Sequence, residues 1–250
     1  RQILTALQIL GRGNCFDINQ LSLMSKSMAA ATFHKFCKNF AKEMFEEHIY
    51  LPTGTYQDEV MDCYRKLGFT TAIGSTDVTH VGWGMCPFTL GRSFTGKEGF
   101  PTLAFEVTVD HAGRAIGVTQ EFTGATNDKT IVQQSVQGSR VQAQEGGWHG
   151  LTSRPFRPPP LLLLCRRVPN QHWVTLMAPS KYPGDVDDAA FSKMLESVRK
   201  DVECFFGILK GRLRILKLRL AYHCGEDIDI IFFTCCILHN MLHSFDGISV

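Results

Sequence analysis

An α/β (α+β) domain with a small all-helical region before it is the fold class this sequence predicts, on three observations. β-rich runs at Thr70–His80, Thr102–Val109 and Arg114–Phe122 are bounded by Gly-containing turns, the signature of strands and a hairpin. Phe191–Leu220 repeats Leu195, Val198, Val202, Phe205 and Leu209 at steps of three and four, the period of an amphipathic helix. The first 50 residues carry helical patterns and no strand signal. With 250 residues, 44% of them hydrophobic, the chain can bury a sizeable core.

In chain order, the opening RQILTALQIL predicts a helix cut by Gly11 and Gly13. Residues 16–24 read as a second short helix, and Ser25 or Ser27 can cap a third through Ala29–Glu47. That order resembles a helix-turn-helix unit, and His34, Lys35, Lys38 and Lys42 give the third helix a basic face. A small bundle that only packs on the main domain fits the same pattern. The chain starts inside a helix, at Arg1, which suggests that an N-terminal piece is missing. Gln57–Leu67 predicts a helix ending at Gly68, and the following strand carries Asp77 near its exposed end. Pro87–Gly99 reads as a polar loop, and Gly124–Asp128 as a loop capping a helix near Lys129. Residues 138–170 change character: three consecutive prolines and four consecutive leucines without periodicity read as a flexible linker with an apolar knot.

The formal charge of +2 excludes little, but its distribution is uneven. Lys210, Arg212, Arg214, Lys217 and Arg219 place five cations in ten residues. Nine cysteines without C-x-x-C spacing read as reduced thiols of a nuclear or cytoplasmic protein. The apolar run at 230–238 is too short to span a membrane. Glu203 lies beside the apolar seam of the 191–220 helix, where a carboxylate would be partly desolvated and held stiffly. A rigid carboxylate next to a cationic run suits a metal ion held against a polyanion. The plainer alternative is a surface helix on which Glu203 pairs with Arg199.

RKDVECFFGILKGRLRIL at 199–216 resembles the closing block of the Harbinger/PIF-type DDE transposases and the nucleases derived from them, R-x-x-V-E-x-x-F-G-x-L-K-x-R-F-x-I-L, with Leu213 in place of the Phe. GFTTAIGSTDVTHV around Asp77, the block at 95–132 that takes in Asp128, and CCILHNMLH at 235–243 agree with the same family. The resemblance implies an RNase H-like mixed sheet flanked by helices, with a nuclease domain over 65–245 and the helical region over 1–50. It implies Asp77, Asp128 and Glu203 as catalytic ligands of Mg²⁺ or Mn²⁺, converging on a common point. It also implies phosphate contacts from Lys210, Arg212, Arg214, Lys217 and Arg219, DNA as the partner, a Myb-like accessory protein, and a nuclear location. His239 and His243, spaced i, i+4, invite a zinc reading, but in the family that run serves helix packing.

One family residue has no counterpart. The fourth strand should end in an Asp-Gly-Gly-Tyr-His-type motif before Trp173, and the sequence there is Arg166-Arg167-Val168. Together with Pro169, those residues have codons that, read one base later, can spell Asp-Gly-Tyr, so a shifted frame over 139–170 is one account of the disrupted segment. Two functional readings follow: a metal-dependent nuclease impaired by the missing acid, or an inactive DNA- or partner-binding relic. An inert relic whose middle never folds is a third.

Overall fold

The structure, a computed structural model, describes residues 1–13, 24–128, 130–132, 134, 162–165, 176–180 and 182–246. Its centre is β1 (Ala72–Trp83), twelve residues of mixed apolar and β-branched character. Antiparallel to β1 lies β2 (Thr102–Val109), and antiparallel to β2 lie β3 (Ala115–Val118) and the two-residue β4 (Phe122–Thr123). On the other edge of β1, β5 (Leu162–Cys165) runs parallel and is followed by parallel β6 (Leu176–Met177). The path is β3-β2-β1-β5-β6. A mixed sheet in this order, flanked by helices, agrees with the RNase H-like expectation.

Three sequence expectations change here. Asp77 is not at the end of its strand, because pairing with β2 continues without a break from Ser75 to Gly82. Arg114–Phe122 is two strands, not one. The apolar knot is not all linker: Leu162–Cys165 pairs with β1 in the middle of the sheet, and Leu164 is fully buried. A central parallel strand is covered on both faces and so reads as an unbroken apolar run. Residues 14–23, which contain most of the second predicted helix, lie outside the described residues, as do Arg166, Arg167, Val168 and Trp173.

A single helical turn at Gly91–Phe94 interrupts the predicted Pro87–Gly99 loop, and the long helices are α1 (Gln2–Arg12), α2 (Lys26–His48), α3 (Gly54–Lys66), α4 (Val186–Arg212) and α5 (Gly225–Asp246). A 3₁₀ turn at Arg214–Lys217 and β7 (Arg219–Leu220) join the last two. Gly11 does not interrupt α1; the stop is Gly13, whose φ of 72° is left-handed and whose N–H donates to Ile9. Ser25 caps α2, accepting from the Met28 N–H at 3.3 Å. The α4 helix starts earlier than its apolar period suggests, capped by Asp185 through the Asp188 N–H at 2.7 Å.

Successive side chains of β1 alternate between the two faces of the sheet, and this alternation organises the molecule. Asp77, Thr79 and Val81 share a face with their β2 partners Val107, Phe105 and Leu103. Against that face pack Val202, Phe205 and Leu209 of α4 and the buried side of α5, with Phe105 stacked on Phe232 at 4.1 Å. Behind α5 lies α2, contributing Phe33, Cys37, Ala41 and Phe45 to the same core. Asn240, fully buried, fastens three elements: its Nδ2 donates to His48 O and Ala115 O, and its Oδ1 accepts from the Ala115 N–H.

Candidate metal and nucleic-acid site

Arg199 is part of the buried stripe of α4, one turn after Leu195 and three positions before Val202, where the sequence reading placed Val198. A guanidinium there would be costly unless paired, and it is paired twice. Its Nη1 donates to Asp77 Oδ2 at 3.0 Å and its Nη2 to Glu203 Oε1 at 2.7 Å. The side chains are 7%, 15% and 47% exposed for Arg199, Asp77 and Glu203. The structure therefore brings two of the expected acids together, but Glu203 is less desolvated than its place beside the seam implied. Its pairing with Arg199 is the plainer alternative of the two sequence readings.

Asp128 lies elsewhere. It follows the β4 loop where Asn127 O accepts from the Thr130 and Ile131 N–H groups, beginning a helical turn. Its carboxylate faces His80 Nε2 at 3.8 Å and Lys97 Nζ at 3.4 Å. His80 holds this carboxyl below the usual carboxylate range; partial burial opposes the effect and Lys97 adds to it. At 3.8 Å the His80 contact is too long for a good hydrogen bond. His80 is an odd number of residues from Asp77, so Asp128 is held on the opposite face of β1 from Asp77. Among the described residues, no three His, Cys, Asp or Glu side chains gather closely enough to hold a metal ion.

The five expected phosphate contacts divide into two kinds. Lys210 is largely buried and donates to His80 O at 2.9 Å; burial, with Lys217 adding, holds its pKa below the ordinary lysine value, while Glu98 opposes. Arg212 is half-buried. Arg214, Lys217 and Arg219 are exposed, and the Arg219 guanidinium lies 4.0 Å over the Phe100 ring. Lys97 and Phe100 were not singled out from the sequence. They sit in a loop whose partner, Arg219, is over a hundred residues away, and only the tertiary fold joins them. His239 and His243 donate through Nε2 to the carbonyls of Gly113 and Ala112, at 3.0 and 2.6 Å. Both histidines thus engage the β2–β3 turn.

A family model described as DDE superfamily endonuclease matches residues 76–240, which is 165 of the 250 residues. No curated protein and no solved structure matches the chain. The family match begins one residue before Asp77, ends on Asn240, and takes in Asp128, Arg199, Glu203 and Lys210. On that match the chain belongs to the DDE superfamily endonuclease family.

Proposed function

We propose that the chain is a Harbinger-type, transposase-derived endonuclease-like protein that binds DNA and is impaired in cutting it. The observation that carries this reading is the Arg199 side chain clasped between Asp77 and Glu203. DDE superfamily endonucleases generally use divalent metals, and DNA is the substrate the family implies. Two carboxylates on a central strand and a rigid helix suit one hard cation, Mg²⁺ or Mn²⁺, which would displace Arg199 from between them. They fall short of the three or four acids that a pair of such ions needs. When bound, the ion supplies charge stabilisation to a phosphodiester undergoing in-line displacement. The chain's own contribution is otherwise positional: α4 and β1 fix the two acids, and Arg199 neutralises them when no cation does.

The acid that would complete the set is missing from the sequence. β5 is described up to Cys165, which pairs with Thr76, next to Asp77, and the sequence continues with Arg166. On this reading residues 65–245 form the nuclease-like domain, residues 1–50 a helix-turn-helix-like accessory, and the protein works in the nucleus beside a Myb-like partner. The test is nicking of supercoiled plasmid with Mg²⁺ or Mn²⁺, run beside a gel-shift assay. The wild-type chain should shift DNA without nicking it above background. Arg166→Asp should gain Mn²⁺-dependent nicking that disappears on adding Glu203→Ala. Robust metal-dependent cleavage by the wild type, lost in Glu203→Ala, would overturn the impairment.

A further inference from the structure

β2 covers one edge of β1 along most of its length, and the other edge is shared by β5 and β7. Among the described residues β5 stops opposite Thr76 and β7 begins opposite Gly82. In the interval the Asp77 carboxylate accepts from the Val78 N–H at 2.9 Å and Lys210 donates to His80 O. Beside this stretch lies a cleft of about 400 Å³, bounded by Val78, Thr79, His80 and Gly82 of β1, by the Lys97–Phe100 loop and by Leu216–Arg219.

The lining defines the ligand. Lys97, Lys210, Lys217 and Arg219 face one acid, Glu98, so the cleft attracts an anion and repels a metal cation. Its volume is that of a small-ligand pocket, larger than a bare phosphate requires. Along one wall Arg219 is stacked on Phe100. Gly82 permits this approach, because a Cβ there would lie 3.1 Å from Arg219 and 3.3 Å from the Phe100 ring. A guanidinium on an aromatic ring makes a flat platform of the kind on which nucleobases stack. At the floor, the buried Thr102 hydroxyl and His80 Nδ1, 3.1 Å apart, are polar groups suited to a sugar or a base edge. Asp128, held by Lys97 and His80, stands beside the same lining residues.

We propose that this cleft takes one nucleotide of a DNA strand, its phosphate on Lys97, Lys210 and Lys217 and its base against Arg219 and Phe100. The inference rests on the reading of the chain as a DNA-binding protein and adds the place where a single unpaired nucleotide is held. Lys210 spends one N–H on His80 and keeps two for the phosphate.

The test is fluorescence anisotropy of the full chain with a labelled oligothymidylate in EDTA, beside an abasic strand of the same length. Wild type should bind the oligothymidylate about tenfold more tightly than the abasic strand. Arg219→Gln should abolish most of that difference, and Phe100→Leu should do the same with apolar bulk retained. Lys217→Glu should weaken both strands. Arg219 and Lys217 are exposed, so their variants test the proposal even where Phe100→Leu does not fold. Free dTMP should displace the strand only at far higher concentration; displacement at comparable concentration would overturn the strand assignment. Equal affinity for intact and abasic strands would reduce the cleft to a phosphate site and overturn the nucleotide proposal. So would tighter binding of a phosphopeptide than of oligothymidylate. Wild-type DNA binding unchanged in Arg219→Gln and Lys217→Glu would overturn this inference alone, whereas a wild type that binds no DNA would remove the DNA reading with it.

Discussion

The two faces of β1 hold charge in opposite ways. On the core-side face, Asp77 and Glu203 share a buried arginine, which gives one Nη to each carboxylate, while its buried Nε has no partner among the described residues. At the edge of β1 away from β2, reaching onto the His80 side, four cations line a cleft with one acid among them, and Lys97, Lys217 and Arg219 are exposed. The first arrangement is closed, and a ligand must displace a side chain to enter. The second is open: Lys97 is paired with Asp128, but Lys217 and Arg219 stand exposed, and a polyanion would add charge pairing to them. On the reading proposed above, binding and cutting of DNA would be separable, binding drawing on the open cleft and metal capture on the closed face.

The closed face is broken most severely through Arg199. Arg199→Met leaves Asp77 facing the core without its cation, a loss of about 3–5 kcal/mol. Chemical denaturation in EDTA should show this loss, and Mn²⁺ should restore stability in the variant more than in wild type. An equal Mn²⁺ response in both would mean that Arg199 and the ion do not compete.

Acid distinguishes the faces next. Burial pushes His239 down to about 4, from an ordinary 6.5, with Gly113 O accepting from its ring. The folded value lies below the unfolded one, so the neutral ring contributes its full stability above pH 6.5. That contribution is lost as pH falls toward 4, by about 3 kcal/mol. Melting curves from pH 7.5 to 4.5 should show the decline, with a smaller one in His239→Gln. Asp229 acts in the opposite direction. Burial, with Glu121 beside it, pushes its carboxyl far up, so Asp229→Asn should raise the melting temperature more at pH 8 than at pH 4.

Within the cleft the effects are smaller and separate two lysines. Lys217→Ala with Arg219→Ala should flatten the salt dependence of DNA affinity by about 2 in the log–log slope, with folding stability changed little. Lys210→Met removes the partner of His80 O and should cost about 1–2 kcal/mol of stability as well as affinity. If Lys210→Met changed affinity alone, Lys210 would belong with the exposed cations.

The sequence made β1 and β2 legible as β-rich runs bounded by turns, and α4 legible through a period of 3.6 sustained over several turns. Ser25 was legible as a cap because its hydroxyl acts within one helical turn. Leu162–Cys165 was not, because a strand covered on both faces shows no alternation and the prolines before it suggested a linker. The acids around Asp77, Asp128 and Glu203 stood out through family blocks, which mark positions and not partners. That Arg199 takes the buried stripe beside Asp77, and that His80 and Lys97 hold Asp128 on the far face, depends on contacts across 122 and 31 residues or on which side of a strand a residue falls. The Phe100–Arg219 stack was invisible for the same reason.

The unbroken pairing of β1 with β2 from Ser75 to Gly82 has a consequence for how this protein can change over generations. Asp77 and His80 are separated by an odd number of steps on one strand, so they hold their two faces jointly. Deleting or inserting one codon upstream of Asp77 within β1 would turn the strand over, sending the acid to the cleft and the imidazole to the core. Point substitutions can erode either face alone, but a length change in this strand exchanges both at once. The surroundings of Asp77 and of His80 are thus inherited as a unit, and a lineage that keeps one in its present place must keep the spacing of the other.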